Sequence, residues 1–453
     1  MKKYDVIVIG SGCGLSIVEE ALGHSLKTAL VDKDPVGGTC ANLGCIPSKM
    51  LIFAADRIAE IQEAKKLGVE AEIRNINFSF IMERMRKSVR RDQESIRQAL
   101  LREKGLDFYE GEGHFTDEYK IEVNGEKIKG EKIFIAAGSR PLIPPIQGLD
   151  SVAYLTNETI LQLKEKPESL IIIGGGYIAV EFGHFMAVMG TRVTMLEMAD
   201  RLVLSEEPEI ADLLKKELSR RMDVHTGVRA EAVKNNGTDV TVTVSDAKTG
   251  RKKGFTAQKI LVAVGRRSNA DLLEVENTGV KLDARGFIKV NRYLETSKKN
   301  IWAVGDINGQ QMFTHVANQE ADLAADNAIH GRKTRMDYTA TPHAVYSHPQ
   351  IASVGLTEAA AREKYDVMVG RAGYIETAQG EAMMEENGFA KAIVARDTLK
   401  ILGFHVIGPY APIIIQEVIN AMASGGGLAQ IQSGMHIHPA ITELVLAAFS
   451  NLE

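Results

Sequence analysis

The sequence predicts an α/β protein built around two nucleotide-binding units, and three observations carry that expectation. A buried-strand pattern, Tyr4 to Ile9, runs straight into Gly10-x-Gly12 and a helix. The arrangement recurs where Leu170 to Ile173 lead into Gly174-x-Gly176-x-x-Ala179. In each copy the next strand ends on a carboxylate, Asp32 lying 22 residues after Gly10 and Glu197 lying 23 after Gly174. Such Rossmann-like units let backbone approach a pyrophosphate at a helix N-terminus while the acid accepts from a ribose hydroxyl. Two in one chain make a far stronger signal than either alone.

In chain order, the first turn opens a helix running to about Ala21, and the strand Thr28 to Val31 follows. Leu15 stands where the fingerprint wants a third glycine, with Gly14 beside it; Cys13, inside the turn, reads as a small filler. Next comes Gly37 to Lys49, with two of the three cysteines, Cys40 and Cys45, ahead of a helix. In that helix Leu51, Ala54, Ala55, Ile58 and Ile61 recur at helical spacing, and Gly68 closes it. Both cysteines are expected at its N-terminal end, where unpaired N–H groups and the macrodipole favour a thiolate. A disulfide becomes possible there if the first turn is distorted. Taken alone, the pair reads equally as two inert buried thiols.

A long helix, about Ser79 to Lys104, carries Arg84, Arg86, Lys87, Arg90 and Arg91 as a solvated face. A hairpin is expected at Asn124-Gly125, another buried strand at Ile133 to Gly138, and a linker at Pro141, Pro144 and Pro145. In the second unit the strand Arg192 to Leu196 precedes Glu197, and Val240, Val242 and Val244 alternate as in a β-meander. Ile260 to Val264 closes that unit at Gly265. Ile301 to Asp306 is a strand ending in an acid, and His315-Val316-Ala317 opens a further helix. From Pro342 on, alternating strands and two helices lead past Gly425-Gly426-Gly427 to His436-x-His438-Pro439 and Glu443.

The 453 residues suffice for roughly three domains. A formal net charge of −5 points to neither nucleic acid nor an anionic membrane as partner. Three cysteines cannot make a secreted disulfide framework, so a reducing, cytoplasmic location is expected. The apolar start breaks at Gly10 to Gly14, too early for a signal peptide, and no stretch nears the ~18 apolar residues of a membrane span. No metal site is expected.

With these motifs in order, the chain resembles the class I pyridine nucleotide-disulfide oxidoreductases, or flavoprotein disulfide reductases, over essentially its whole length. The resemblance rests on the first fingerprint, Gly37 to Lys49, Ala136-Ala137-Gly138, Gly174 to Glu181, Ile301 to Asp306, and His438-Pro439 with Glu443. Within the family it is most similar to dihydrolipoamide dehydrogenases. The fold so implied is α/β, with two Rossmann-like domains, for FAD and NAD, plus a C-terminal α+β dimerisation domain. Residues 1–147 and 268–335 would form the FAD domain, 148–267 the NAD domain and 336–453 the interface.

The resemblance assigns FAD to Gly10, Gly12, Gly14, Asp32, Gly38, Thr39, Lys49, Ala137, Gly138, Asp306, His315 and Ala317. Asp306 would hold the ribityl chain, and the helix opening near His315 would aim its N-terminus at the flavin pyrimidine. NAD is assigned to Gly174, Gly176, Tyr177, Ile178, Glu181, Glu197 and Gly265. Tyr177 either covers the nicotinamide pocket or is a core aromatic at a helix start. Lys49 and Glu181 match an ion pair near flavin N5. A carboxylate at Glu197 accepts ribose hydroxyls and repels a 2′-phosphate, and no arginine immediately follows it. That charge outweighs the NADP-like Ala179, so NAD is preferred to NADP.

The mechanism implied is dithiol exchange. His438 takes a proton from the incoming dithiol, the thiolate attacks Cys40, and exchange releases a cyclic disulfide and leaves Cys40 and Cys45 reduced. Electrons then leave through Cys45, the flavin and NAD. Glu443 would orient His438, while His436 is either a helper or a pocket wall. In the family this His/Glu pair completes the partner subunit's cysteine site, which implies a homodimer.

The partners so implied are a small-molecule or lipoyl-domain dithiol or disulfide and a 2-oxoacid dehydrogenase complex. Leu15, the Tyr177–Ala179–Glu181 pattern and the stretch between Ala411 and Met435 depart from typical dihydrolipoamide dehydrogenases. Gly12 to Ile17 and His438-Pro439-Ala440 are similar to low-molecular-weight thiol disulfide reductases such as mycothione reductase, the second reading. A flavin-bearing scaffold subunit without turnover is a third. Mercuric reductase and high-molecular-weight thioredoxin reductase would need cysteines beyond Cys45, and there are none.

Overall fold

The structure, a computed structural model, describes all 453 residues and divides into two compact units. The first comprises Met1–Ser48, Glu83–Leu142 and Gly265–Asp337. Its sheet has Lys2–Ile9 at the centre, parallel to Thr28–Asp32 on one side and Glu126–Ile135 on the other. Leu106–Glu110 extends one edge in parallel, Ile301–Ala303 joins Glu126–Ile135 in parallel, and Lys120–Val123 with Gly113–Asp117 continue antiparallel.

Side chains of the central strand alternate between two buried faces, as the two-residue period requires. Ile7 and Ile9 pack with Ile133, Ile301 and Ile307; Val6 and Val8 pack with Ile17, Val18, Ala321 and Ala324. The second face therefore receives two helices, Gly14–Gly23 and Thr314–His330, side by side. At about 25 cal/mol per Å² of apolar surface removed from water, those faces supply the main force holding both nucleotide-turn and cysteine-side helices in place.

The second unit comprises Lys49–Met82, Ile143–Val264 and Tyr338–Glu453. It contains a parallel sheet in the order Asp223–His225, Arg192–Leu196, Ser169–Ile173, Lys259–Val262. The β-meander Val228–Asn235, Val240–Asp246, Lys252–Ala257 packs against it through Val242 and Val244. A five-stranded antiparallel sheet, Pro342–Val345 to Ile401–Ile407, carries the C-terminal core of Tyr374, Phe404 and Phe449. More than two helices decorate it: Gln416–Ala423 and Glu443–Ser450 are the longest, with four shorter ones between Glu358 and Gln432. These short helices lie below the length at which a 3.6-residue period can be read.

No helix is long and apolar enough to cross a membrane.

Candidate active site

The first nucleotide turn is closed by contacts that only glycine permits. Gly10 takes φ +102°, and a Cβ there would lie 2.3 Å from the Ala136 carbonyl oxygen. Gly38, at φ +68°, brings its backbone against Gly12, so that a Cβ on it would lie 2.6 Å from the Gly12 Cα. Gly14 supplies the close helix–strand approach expected of a third glycine: its Cβ would meet Val8 Cγ1 at 2.7 Å. Leu15 is therefore no defect, because the crowding falls one residue earlier.

The Ser11 amide donates to Asp32 Oδ2 at 2.6 Å, the Asp34 amide to Oδ1 at 3.1 Å, and the Gly37 amide to Ser11 Oγ at 3.0 Å. Burial pushes the Asp32 carboxyl up against those bonds. Cys13 packs beside Gly305, and burial with the charges of Glu320 and Asp306 pushes its thiol up to about 12, as suits an inert filler.

The cysteines sit on two helices rather than one. Cys40 lies in Gly38–Leu43, and Cys45 begins Cys45–Glu63. Gly44 breaks the two, held so closely over Thr39 that a Cβ would lie 3.0 Å from its carbonyl oxygen. A hydrogen bond with Cys45 and burial push the Cys40 thiol far up, while Thr314 acts against them. Thr314 Oγ1 stands 3.6 Å from Cys45 Sγ. Asn42, buried between the cysteines, donates to the carbonyls of Pro35 and Val36 at 2.7 and 3.0 Å and accepts from Gln93 at 3.0 Å. It thereby pins the loop that enters the site.

Thr314 opens the helix Thr314–His330, followed by His315, stacked on Phe313, and buried Ala317. Glu320 on the same helix is fully buried and accepts from the Gly305 amide at 2.7 Å and Asn308 Nδ2 at 2.8 Å. It fixes the turn that carries Asp306, whose Oδ2 accepts from Ser139 Oγ at 2.6 Å. Arg266 donates to that same Ser139 Oγ at 2.7 Å. Ala137 accepts from Asn269 at 2.8 Å, and Gly138 turns the strand end at φ +65°. Thr39 lies exposed in the first turn of Gly38–Leu43. A dinucleotide fits this donor set: a glycine-walled turn at a helix N-terminus, a ribose-accepting acid, and a second acid at Asp306.

In the second unit, Gly174 (φ +120°) and Gly175 are as crowded, with Cβ positions 2.3 Å from the Ala263 carbonyl oxygen and 2.7 Å from Leu202. Gly176 differs: its Cβ would meet nothing within 4 Å, at the N-cap of the helix Tyr177–Val188. Ala179 is fully buried and Ile178 half-buried. Glu197, at the strand end, accepts from the Ala199 amide at 2.6 Å. The Tyr177 hydroxyl bonds Ser205 Oγ at 2.5 Å and lies 3.5 Å from Glu206; its ring stacks on His343. Burial, then the Glu206 charge, pushes that phenol up. A nicotinamide dinucleotide fits this open turn and its acid. Gly265 belongs instead to the first unit, where the chain leaves the sheet at φ +129° and its carbonyl accepts from the Leu142 amide.

Lys49 and Glu181 do pair, with Nζ 3.0 and 2.7 Å from the two carboxylate oxygens. Glu181 also accepts from the Tyr346 amide at 3.0 Å, and the ammonium lies 4.8 Å from the Tyr346 ring centroid. Burial raises the Glu181 carboxyl although Lys49 lowers it. Of the C-terminal histidines, His438 Nδ1 is 2.8 Å from Glu443 Oε1, which leaves Nε2 outward on an exposed ring. Glu443 also accepts from the Ala440 amide at 3.1 Å; the His438 bond leads in holding its carboxyl low. His436 pairs separately with Glu417 at 3.0 Å.

Thr314, Glu320, Asn42 and Ser139 were not singled out from the sequence. Glu320 had one signal, an acid on the apolar face of the helix Thr314–His330. The others act through contacts more than fifty residues distant.

Residues 4–321 match the family described as pyridine nucleotide-disulphide oxidoreductase, and residues 341–449 match its dimerisation domain. The chain is 33% identical to a dihydrolipoyl dehydrogenase of Synechocystis, covering 98% of both chains. It is also 33% identical to the mycothione reductase of Mycobacterium tuberculosis, covering 100% of both. A mercuric reductase of Staphylococcus aureus is 33% identical over 93% of this chain and 77% of its own. Among solved structures, the HOCl-induced flavoprotein disulfide reductase RclA of Escherichia coli superposes with a TM-score of 0.88 at 28% identity, covering 99% of both chains.

Proposed function

Because this chain belongs to the pyridine nucleotide-disulphide oxidoreductase family, we propose that its Cys40–Cys45 pair exchanges electrons with a dithiol, dihydrolipoamide foremost, in an NAD-linked reaction. The observation that carries the reading is the thiol pair itself: Cys40 hydrogen-bonded to Cys45, with Thr314 within 3.6 Å of the latter. FAD and NAD(P) are the family's cofactors, and when bound they supply the two-electron carrier and the hydride partner.

The chain's own part is thiol chemistry and proton handling. In the oxidised form, a substrate thiolate attacks the Cys40 sulfur and expels the Cys45 sulfur as thiolate. The substrate's second thiol then attacks the sulfur joined to Cys40, so the cyclic disulfide leaves and Cys40 is released. Two electrons have passed to the cysteine pair. Cys45, as first residue of the helix Cys45–Glu63, holds its negative charge against the helix N-terminus and the Thr314 hydroxyl. His438 takes the substrate proton at Nε2, because Glu443 holds Nδ1 and fixes the tautomer. The pair acts on the partner subunit's cysteines in a homodimer, in line with the dimerisation domain. Residues 1–147 and 268–335 hold FAD, through the turn Gly10 to Gly14, Asp32, Asp306 and the His315 end of its helix. Residues 148–267 hold NAD, with Glu197 selecting against a 2′-phosphate and Tyr177 over the nicotinamide.

The test is a steady-state assay of flavin-loaded protein with dihydrolipoamide and NAD, run beside NADH- and NADPH-driven reduction of mycothiol disulfide and other small disulfides. The expected result is the highest kcat/KM with dihydrolipoamide and NAD. A higher value with a low-molecular-weight disulfide would replace this reading with the mycothione-reductase-like one, which full-length similarity to that enzyme favours. No turnover with any of them would leave a scaffold subunit.

A further inference from the structure

The helices Gly14–Gly23 and Thr314–His330 pack side by side, and metal-ligating side chains gather where both end. Glu20 occupies the last turn of the first helix, His24 directly follows it, and His330 is the final residue of the second. His330 Nε2 lies 2.8 Å from Glu20 Oε1, and His24 Nδ1 lies 3.5 Å from the same oxygen. The two imidazoles meet edge to face with centroids 4.5 Å apart. One donor atom from each residue falls within 4.8 Å of the others. Asp326, one turn before His330, has Oδ1 4.0 Å from the same Nε2, and Arg332 lies 3.1 Å from that oxygen and 3.2 Å from Oδ2, so binding a metal exchanges one of these contacts. None of these residues belongs to the proposed redox machinery.

We propose that Glu20, His24 and His330 form a binding site for a divalent transition metal ion of the zinc class, with Asp326 in reach as a fourth ligand. Geometry supports it first. Zinc bonds of about 2.0–2.1 Å in a tetrahedron place neighbouring donors about 3.3 Å apart. Two of the separations, 2.8 and 3.5 Å, already straddle that value. The widest, up to 4.8 Å, closes by about 1.5 Å through rotation of half-exposed rings, a small change for side chains at a surface.

Electrostatics points the same way. Two helix C-termini converge there, and the negative ends of their dipoles add to the carboxylates of Glu20 and Asp326; the Glu20 carbonyl accepts from His24 Nδ1 at 3.0 Å, a bond that turning the ring onto a metal gives up. The donor set then selects the ion. Two imidazoles with one or two carboxylates suit zinc and its neighbours, while magnesium and calcium want an all-oxygen shell. Along the chain the cluster is invisible, because Glu20 and His330 stand 310 positions apart. The shared packing face of Val18, Ala21, Ala321 and Ala324 brings them together.

The experiment is zinc titration by isothermal calorimetry of chelator-stripped, flavin-loaded protein carrying Cys40→Ser and Cys45→Ser, which removes the thiols as competing ligands. One zinc per chain is expected, and His24→Gln and His330→Gln should each weaken it at least about tenfold, as loss of a direct ligand requires. Magnesium should give no saturable heat. A zinc-dependent rise in melting temperature, lost in the double His24→Gln/His330→Gln variant, is the second readout. If that variant keeps the parent's flavin spectrum and zinc-free melting temperature and binds zinc unchanged, the assignment is wrong. If the parent binds none, the cluster is only a hydrogen-bonded helix end. Should the double variant fail to fold, Glu20→Gln with Asp326→Asn decides by the same criterion.

Discussion

The two units place their functional groups by different means. In the first, backbone does the placing: Gly10, Gly38 and Gly44 stand where an added Cβ would collide with backbone atoms, and Cys45 is set by a helix start. In the second, Gly174 closes the turn as tightly as Gly10 does, but the reactive side chains are placed by charge: Lys49 with Glu181, His438 with Glu443, Tyr177 beside Glu206. The contrast appears within the duplicated turn itself. Gly38 closes on Gly12, whereas the corresponding middle glycine of the second turn, Gly176, faces open space. A backbone-built site tolerates no added atom. A charge-built site is graded, and it answers to pH and to conservative substitution.

That difference can be broken at several points, taken from the largest expected effect down. Gly38→Ala must move a Cβ now 2.6 Å from Gly12 Cα at a positive φ, so the purified variant should retain less than about a tenth of its flavin by absorbance, or fail to fold. A fully yellow variant would mean that the turn yields. Cys45→Ser should keep the yellow flavin and lose disulfide turnover by roughly three orders of magnitude, since a hydroxyl cannot replace the thiolate. Full activity in that variant would contradict the assignment outright.

Glu443→Gln keeps the shape but not the charge that steadies His438. It should lower kcat by roughly ten- to a hundredfold with KM for the dithiol little changed, within the range general-base catalysis spans. Equal loss in Gly38→Ala and Glu443→Gln would erase the distinction between the units. Glu181→Gln leaves the Lys49 ammonium, itself one-third exposed, with a neutral partner. Thermal or urea unfolding should show a loss of about 1–2 kcal/mol, below the cost of breaking a fully buried pair.

Glu63 offers a pH test of the charge-built unit. Burial pushes its carboxyl up, but the hydrogen bond and charge of His348, with the charge of Arg221, bring it down to about 2. A carboxyl held below its unfolded value stabilises the fold above that value and loses the contribution as pH falls through the folded one. The stabilisation should therefore be complete above about pH 4.3 and fade toward pH 2; for this one-third-exposed pair it is about 1 kcal/mol. Acid titration of melting temperature in Glu63→Gln should be flatter over that window, and an unchanged slope would remove Glu63 from the account. In the second turn, Gly176→Ala meets no protein atom but sets a Cβ where the pyrophosphate is proposed to approach, so KM for NAD should rise about tenfold with flavin content and melting temperature unchanged. An unchanged KM would take the pyrophosphate off this turn.

Much of this was legible along the chain. Strand Arg192–Leu196 has the bounds its apolar run predicts, and Lys2–Ile9 and Ser169–Ile173 extend theirs by only a residue or two. The long helix spans Phe78–Arg102 where Ser79 to Lys104 was expected, and Asn124-Gly125 does join two strands. The sequence predicts one cysteine-bearing helix where the structure has two, since propensity does not register how near Gly44 lies to Thr39. The short C-terminal helices are not legible in the sequence because each spans too few turns to show a period.

By itself, then, the sequence determined where strands, turns and reactive side-chain types fall, because periodicity, glycine and charge act on near neighbours. Only the tertiary structure decided that Thr314 stands by Cys45 and that Glu320 fixes the Asp306 turn. It likewise decided that Glu20 meets His330. Each of those is a contact between segments far apart in the chain, set by how buried faces pack, and no local pattern encodes such a distance.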